Sequence, residues 1–243
     1  MSPLLVGVGM GPGDPELVTV KAVRVLESAD LVIVPVMGDD VGRAEATVRA
    51  HVTHDRVRRL PFALSDRGGV TQARTQAWDE AGSAVAQAFA AGASAVAFAT
   101  IGDPNVYSTF SYLAQTVTAL VHDLEVQTVP GITAMQDLAA RSGTVLCEGT
   151  ESLALLPITA GLSAYEAALA SFDTVVAYKG GRHLREVRHV LAATGRSEGA
   201  VFGSALGLAG EDIRPLADVP DDAAPYLSTV ISPARRVSRG GSL

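Results

Sequence analysis

The chain of 243 residues holds one cysteine, Cys147, which excludes an intrachain disulfide framework and a Cys-rich zinc site. Lysine is nearly absent: Lys21 and Lys179 stand against 17 arginines, and Asn105 is the single asparagine. No run of about 18 apolar residues occurs, so no segment reads as a bilayer span. Met1–Val8 carries no basic side chain and gives way to Gly and Pro, unlike a signal peptide. The expected location is therefore the cytoplasm. Positive charge is also short. A net charge of −7 argues against a nucleic-acid binder held by bulk charge, although a local basic patch can coexist with a negative total. The Arg bias and the 39 alanines read first as genome composition.

What is present points to a folded α/β chain. Apolar residues make up 48% and charged ones 19%, which fits a globular core and not disorder. The length suits one large domain or two small ones. Residues 4–9 read as a short buried strand, followed by a Gly/Pro loop. A helix follows with Val18, Ala22, Val25 and Ala29 on one face, then a second strand over 31–34 that Pro35 stops. Strand, crossover helix and strand within some thirty residues is the pattern of a parallel sheet. The alternation continues with a helix over 70–91, a strand over 94–100, a helix from Tyr107 to Leu120 and a strand over 125–129. Helices over 132–141, 163–171 and 184–193 then alternate with strands over 152–156, 174–178, 200–204 and 226–232. Arg235–Leu243 reads as a frayed tail.

Four strand-end loops are unusual, and ligands of open α/β sheets bind at such ends. The first, Gly7 to Pro15, fails the dinucleotide spacing: Pro12 and Asp14 stand where a third glycine is required. It also lacks the Gly-Lys-Ser/Thr of a phosphate loop. It is either a tight turn that lets a ligand approach closely or a strand-to-helix turn capped by Asp14 with Pro15 at the first helical position. The second, Ile101 to Phe110, crowds Asp103, Tyr107, Ser108 and Thr109 at one strand end. There Asp103 either binds a ligand or caps a helix. The third, Val129 to Met135, offers Thr133 as an N-cap above the small residues Gly131 and Ala134. The fourth runs Tyr178-Lys-Gly-Gly-Arg182. His51 and His54 have a ligand-pair spacing but no third ligand nearby, so they read as surface. Cys147 reads as a small buried apolar residue.

Taken together, these loops resemble one family. Val6-Gly-Val-Gly-Met-Gly-Pro-Gly-Asp-Pro-Glu-Leu-Val-Thr-Val-Lys-Ala-Val-Arg24 is similar to the opening signature of the tetrapyrrole methylases. Gly102-Asp-Pro-Asn-Val-Tyr-Ser-Thr-Phe110 resembles their strand-end motif, and Pro130-Gly-Ile-Thr-Ala134 their interdomain motif. The Tyr107–Leu113, Glu148–Pro157 and Asp173–Lys179 segments are similar to the branch acting at C-20 of precorrin-2. Residues 35–45 lack the expected Ser, and Pro61-Phe-Ala-Leu64 departs from the expected stretch.

The resemblance implies a two-domain α/β fold, each domain a mostly parallel or mixed sheet flanked by helices. Residues 1–122 would carry a macrocycle trough, and residues 123–243 would complete the site for S-adenosyl-L-methionine (SAM). It implies SAM contacts from Gly102, Asp103, Val106, Tyr107, Thr133, Ala134, Tyr178, Lys179, Tyr226 and Leu227. Pro12 and Gly13 would line the trough mouth, near Ser108 and Thr109. The implied reaction moves the SAM methyl to C-20 of precorrin-2 or cobalt-precorrin-2 in cobalamin biosynthesis, with no resident metal. No single catalytic residue is required; Asp14 and Tyr107 are candidates to relay the C-20 proton. The substrate's carboxylate arms suit arginine forks. Arg56, Arg58 and Arg59 form one candidate patch and Arg182, Arg185 and Arg188 another, the latter also readable as a solvated helix face. A homodimer is implied by the family. The alternatives are methylation at C-11 or C-17, or a non-catalytic metabolite-binding module on the same fold.

Overall fold

The structure is a computed structural model that describes residues 2–38, 41–62, 69–220, 224, 225, 227–236 and 238. Two compact units divide after Thr133. The first contains strands β1 (Leu4–Gly9), β2 (Leu31–Val36), β3 (Val57–Pro61), β4 (Ala95–Thr100) and β5 (Glu125–Val129). Their connections carry helices α1 (Val20–Ser28), α2 (Arg43–His51), α3 (Gln72–Ala90) and α4 (Phe110–Leu120). The strands form one parallel sheet in the order β3-β2-β4-β1-β5. Alternation along the strands divides the core. Val6, Val8, Val32, Val34, Ala97 and Ala99 pack under α1 and α2, through Ala22, Leu26 and Val48. Leu5, Ile33, Val96 and Phe98 pack under α3 and α4, through Val85, Leu113 and Val117.

The second unit contains α5 (Ala134–Ser142), β6 (Leu153–Pro157), α6 (Leu162–Ser171), β7 (Thr174–Tyr178), α7 (Leu184–Ala193), β8 (Val201–Ser204), β9 (Asp212–Pro215) and β10 (Ser228–Ser232). Its sheet has the order β6-β7-β10-β8-β9. β6 and β7 are parallel, and the remaining pairs are antiparallel. Tyr165, Leu169, Leu184, Val187 and Leu191 of α6 and α7 cover Val175, Ala177, Phe202 and Val230. Leu138 and Ala139 of α5 pack with Val176 and Ile231.

Several details differ from the sequence reading. The division falls after Thr133 and not at 122/123, because β5 pairs with β1 over its whole length and so belongs to the first sheet. Pro35 does not stop β2. Pairing with β4 covers only Leu31–Ile33, so Pro35 sits where its missing N–H breaks no ladder bond. The helix expected directly after Pro15 is two pieces: a 3-10 turn, Pro15–Leu17, and then α1, capped by Thr19 through Ala22 N–H at 3.1 Å. α4 begins at Phe110 and not at Tyr107, whose φ is +49°. The polar edge strand β9 carries one apolar residue, Ile213, too little pattern to read. The tail is not wholly loose: Arg236 pairs with Glu148 at 3.4 Å and also bonds Glu151.

Candidate functional site

The carboxyl ends of β1, β4 and β5 meet through glycine. Gly11 and Gly102 form an antiparallel bridge, in which Gly102 N–H donates to Gly11 O at 2.7 Å. A Cβ on Gly131 would lie 2.1 Å from Gly102 O, and one on Gly9 would lie 2.6 Å from Gly131 N. No side chain fits at either position, so three loops touch backbone to backbone. Asp103 clamps them: Oδ2 accepts Gly131 N–H at 3.0 Å and Oδ1 accepts Asn105 N–H at 2.8 Å. Val106 N–H closes the turn on Asp103 O at 3.2 Å. Gly102 itself, at φ +70°, faces open space, since a Cβ there would meet nothing within 4 Å. The clustered loops thus leave bare backbone exposed at one strand end, the kind of surface a close-fitting ligand needs.

The polar residues of the second loop have distinct duties. Ser108 Oγ donates to Thr100 Oγ1 at 3.0 Å and accepts Phe110 N–H at 3.1 Å, fixing the corner between β4 and α4. Thr109 precedes α4 with helical backbone and makes no capping bond. Tyr107 is 46% exposed at its left-handed φ. Partial burial raises its phenol's pKa, so it is a neutral hydrogen-bond donor and not a base near neutral pH.

In the first loop, Asp14 Oδ1 accepts Glu16 N–H at 2.9 Å, with Pro15 at the first position of the 3-10 turn. Pro12 and Gly13 are buried. Sequence reasoning missed what holds this loop. Thr47 Oγ1 donates to Arg43 O at 3.1 Å and reaches Gly13 O at 3.5 Å, while His51 Nε2 lies 2.8 Å from Pro15 O. Thr47 and His51 are four apart on one face of α2, a spacing visible in the sequence. His54 instead faces Leu26 O at 3.2 Å. Among the described residues no group of three or more metal-ligating side chains exists.

In the second unit, Tyr178 Oη accepts Met135 N–H at 2.8 Å, satisfying a donor in the first turn of α5, which Ala134 opens. Thr133, just before it, is buried. Lys179 has φ +60°, and its N–H donates to Ser228 O at 3.0 Å. Gly181 lies against Ala224 and Pro225, where a Cβ would be 2.0 Å from Pro225 O. Leu227 is 44% exposed. Tyr226 lies outside the described residues, as do Ala63 and Leu64 of the altered stretch.

The arginines do not form the expected patch. Arg56 precedes β3 at the amino end of the sheet, opposite the glycine loops, and its Nη2 donates to Glu27 O at 3.0 Å. Arg59 pairs through Nε with buried Glu45 at 3.0 Å, which also holds Arg49 at 2.9 Å. Arg58 is exposed. Alternation along β3 sends Arg58 and Arg59 to opposite faces, which sequence proximity conceals. Arg188 Nη1 donates to Val219 O at 2.7 Å, whereas Arg182 and Arg185 are exposed. Cys147, expected to be buried, is exposed.

Comparisons with known proteins identify the family. The sequence profile of the Tetrapyrrole (Corrin/Porphyrin) Methylases matches residues 4–220. The chain is 35% identical to the precorrin-2 C(20)-methyltransferase of Sinorhizobium sp, covering 94% of both. It is 33% identical to the cobalt-precorrin-2 C(20)-methyltransferase of Salmonella typhimurium, covering 95% of this chain and 96% of the relative. Among solved structures, uroporphyrin-III C-methyl transferase from Thermus thermophilus, complexed with S-adenosyl homocysteine, superposes with a TM-score of 0.62. That match is at 20% identity over 94% of this chain and 96% of that one. The methyltransferase CobJ superposes with a TM-score of 0.67 at 22% identity over 98% of both. The glycine loops, the two-sheet α/β architecture and these matches together place the chain in the tetrapyrrole methylase family.

Proposed function

We propose that the chain is a SAM-dependent C-methyltransferase acting at C-20 of precorrin-2 or cobalt-precorrin-2 in cobalamin biosynthesis. The observation that carries this reading is the strand-end cluster of Gly9, Gly102 and Gly131, clamped by Asp103, in a chain that aligns end to end with relatives named for that reaction. Gly102 fits the donor's demand for close backbone approach, because its open side has room for a ligand against bare main chain.

In this reading Gly102, Asp103, Val106, Tyr107, Thr133 and Ala134 would contact SAM, and Tyr178, Lys179, Tyr226 and Leu227 would contribute backbone hydrogen bonds to its adenine. Pro12, Gly13, Ser108 and Thr109 face the tetrapyrrole. SAM, when bound, would supply an electrophilic methyl to the electron-rich meso carbon: a C–C bond forms as the S–CH3 bond breaks, S-adenosylhomocysteine leaves, and C-20 gives up its proton. The chain needs no covalent nucleophile. Its contribution is alignment, which is worth up to about 7–11 kcal/mol when reactants are held in a near-attack pose. Alignment requires loops held in place, and hydrogen bonds hold these: His51 Nε2 lies against Pro15 O, and Asp103 accepts Gly131 N–H. In the same reading Asp14 takes the departing proton, and Tyr107, a neutral phenol, relays it only by giving up its own hydroxyl proton in the same step. A homodimer located in the cytoplasm belongs to the same reading.

The test is incubation of the purified chain with SAM and precorrin-2, then with the cobalt form, locating the new methyl by mass and NMR. A methyl at C-20 is expected. Failure to bind SAM by calorimetry, with no transfer to either substrate, overturns the enzyme reading, and a methyl at C-11 or C-17 overturns the ring position.

A further inference from the structure

Arg43 is the first residue of α2, where the chain returns from the end of β2. The preceding Gly42 lies against Pro35 O, so that a Cβ there would sit 3.1 Å away. One turn on, Thr47 bonds Arg43 O and reaches Gly13 O. These contacts put the start of α2 at the carboxyl edge of the sheet, beside the Pro12–Gly13 loop. The Arg43 guanidinium makes no ion pair or side-chain hydrogen bond among the described residues. Arg24, Arg58 and Arg185 also lack such partners there, but they are exposed, whereas Arg43 is partly buried. Glu45, the acid in the same turn, is committed to Arg49 and Arg59.

Three effects therefore oppose a cation at this position. It is desolvated, which lowers the pKa of its guanidinium. No carboxylate among the described residues neutralises it. It also sits in the first turn of a helix, where the aligned peptide dipoles favour negative charge. An anion arriving from outside would relieve the first two. The fork of an arginine matches a carboxylate bidentately, which a lysine cannot do.

We propose that Arg43 is the cation that receives a carboxylate arm of the tetrapyrrole at the mouth of the first loop. The proposal rests on the function proposed above. Arg43→Met and Arg43→Lys are compared with the unaltered chain in three measurements: KM and kcat for precorrin-2, SAM affinity by calorimetry, and binding of uroporphyrin by fluorescence. Uroporphyrin serves as an air-stable polycarboxylate probe. Arg43→Met is expected to raise KM and weaken uroporphyrin at least about tenfold, with SAM affinity unchanged, and Arg43→Lys is expected to fall between. A purely structural Arg43 would show a lowered melting temperature and weakened SAM along with the tetrapyrrole; that pattern overturns the proposal. So does a KM and a uroporphyrin affinity within twofold of the unaltered chain. Should the unaltered chain methylate nothing, the function fails, and the uroporphyrin arm still decides Arg43.

Discussion

At the scale of single residues, the site is defined by what cannot be added. Gly131 has no room for one carbon, because its Cβ would meet Gly102 O and Gly9 Cα, both backbone. Backbone atoms cannot rotate away as a side chain can, so relief requires the three loops to part. Gly131→Ala is expected to destabilise the first unit by about 1–3 kcal/mol, the usual cost of forced overpacking, and to weaken SAM further by displacing Asp103 from Gly131 N–H. Urea melts and calorimetry check both; an unchanged SAM affinity would separate this glycine from the site. The glycines and Asp103 were legible in the sequence because strand-end chemistry demands particular residue types at particular spacings. The duties of Ser108 and Arg59 were not. Each depends on a partner, Thr100 or Glu45, that only the tertiary fold supplies.

At the scale of elements, both sheets use the same device to align parallel neighbours. Asp30, just before β2, accepts Ser94 N–H at 2.8 Å and Ala95 N–H at 3.0 Å at the start of β4. Asp173, just before β7, accepts Ser152 N–H and Ser152 Oγ–H, each at 2.7 Å, beside the start of β6. These bonds to the charged form hold both carboxyls below the ordinary Asp pKa. A depressed folded pKa means the stabilisation is complete above the unfolded value of about 3.9. It is lost as pH falls through the folded value. Stability measured by denaturant should therefore be flat near neutrality and begin to fall below about pH 4. Asp30→Asn and Asp173→Asn should each make that fall shallower; identical acid profiles for variant and parent would dismiss the clamps. Neither clamp was legible, since an acid before a strand is common and its partner lies far along the chain. Eight of the strands were legible from apolar runs; β3, whose register carries two arginines, and the polar β9 were not. The misreadings arose where local chemistry overrode the pattern: Pro35 continues a half-unpaired strand, and Tyr107 takes a left-handed turn before α4.

At the scale of the whole molecule, the net charge of −7 sets the protein against a substrate that is itself a polyanion. Long-range forces then oppose encounter, and recognition falls to local forks. Much of the arginine surplus is already spent inside the fold. Arg56 holds Glu27 O, Arg59 and Arg49 hold Glu45, Arg188 holds Val219 O, and Arg236 holds Glu148 and Glu151. The arginine count at first reads as genome composition, yet many of these side chains bridge segments distant in sequence. Among the described residues few remain to steer a ligand, and Arg43 stands out there because it is partly buried and unspent. The salt dependence follows from this division. Raising ionic strength from about 0.01 M to 0.1 M shortens the screening length from about 30 Å to about 10 Å. That removes the repulsion between the two net charges, while a contact at hydrogen-bond distance is screened far less. Initial-rate measurements across that range should show kcat/KM for the tetrapyrrole rising or holding level. The value for SAM, which brings little net charge, should change less. A steep fall for the tetrapyrrole would instead mean that a broad basic surface gathers the substrate, a surface for which the internal bonds of Arg56, Arg59 and Arg188 leave little material.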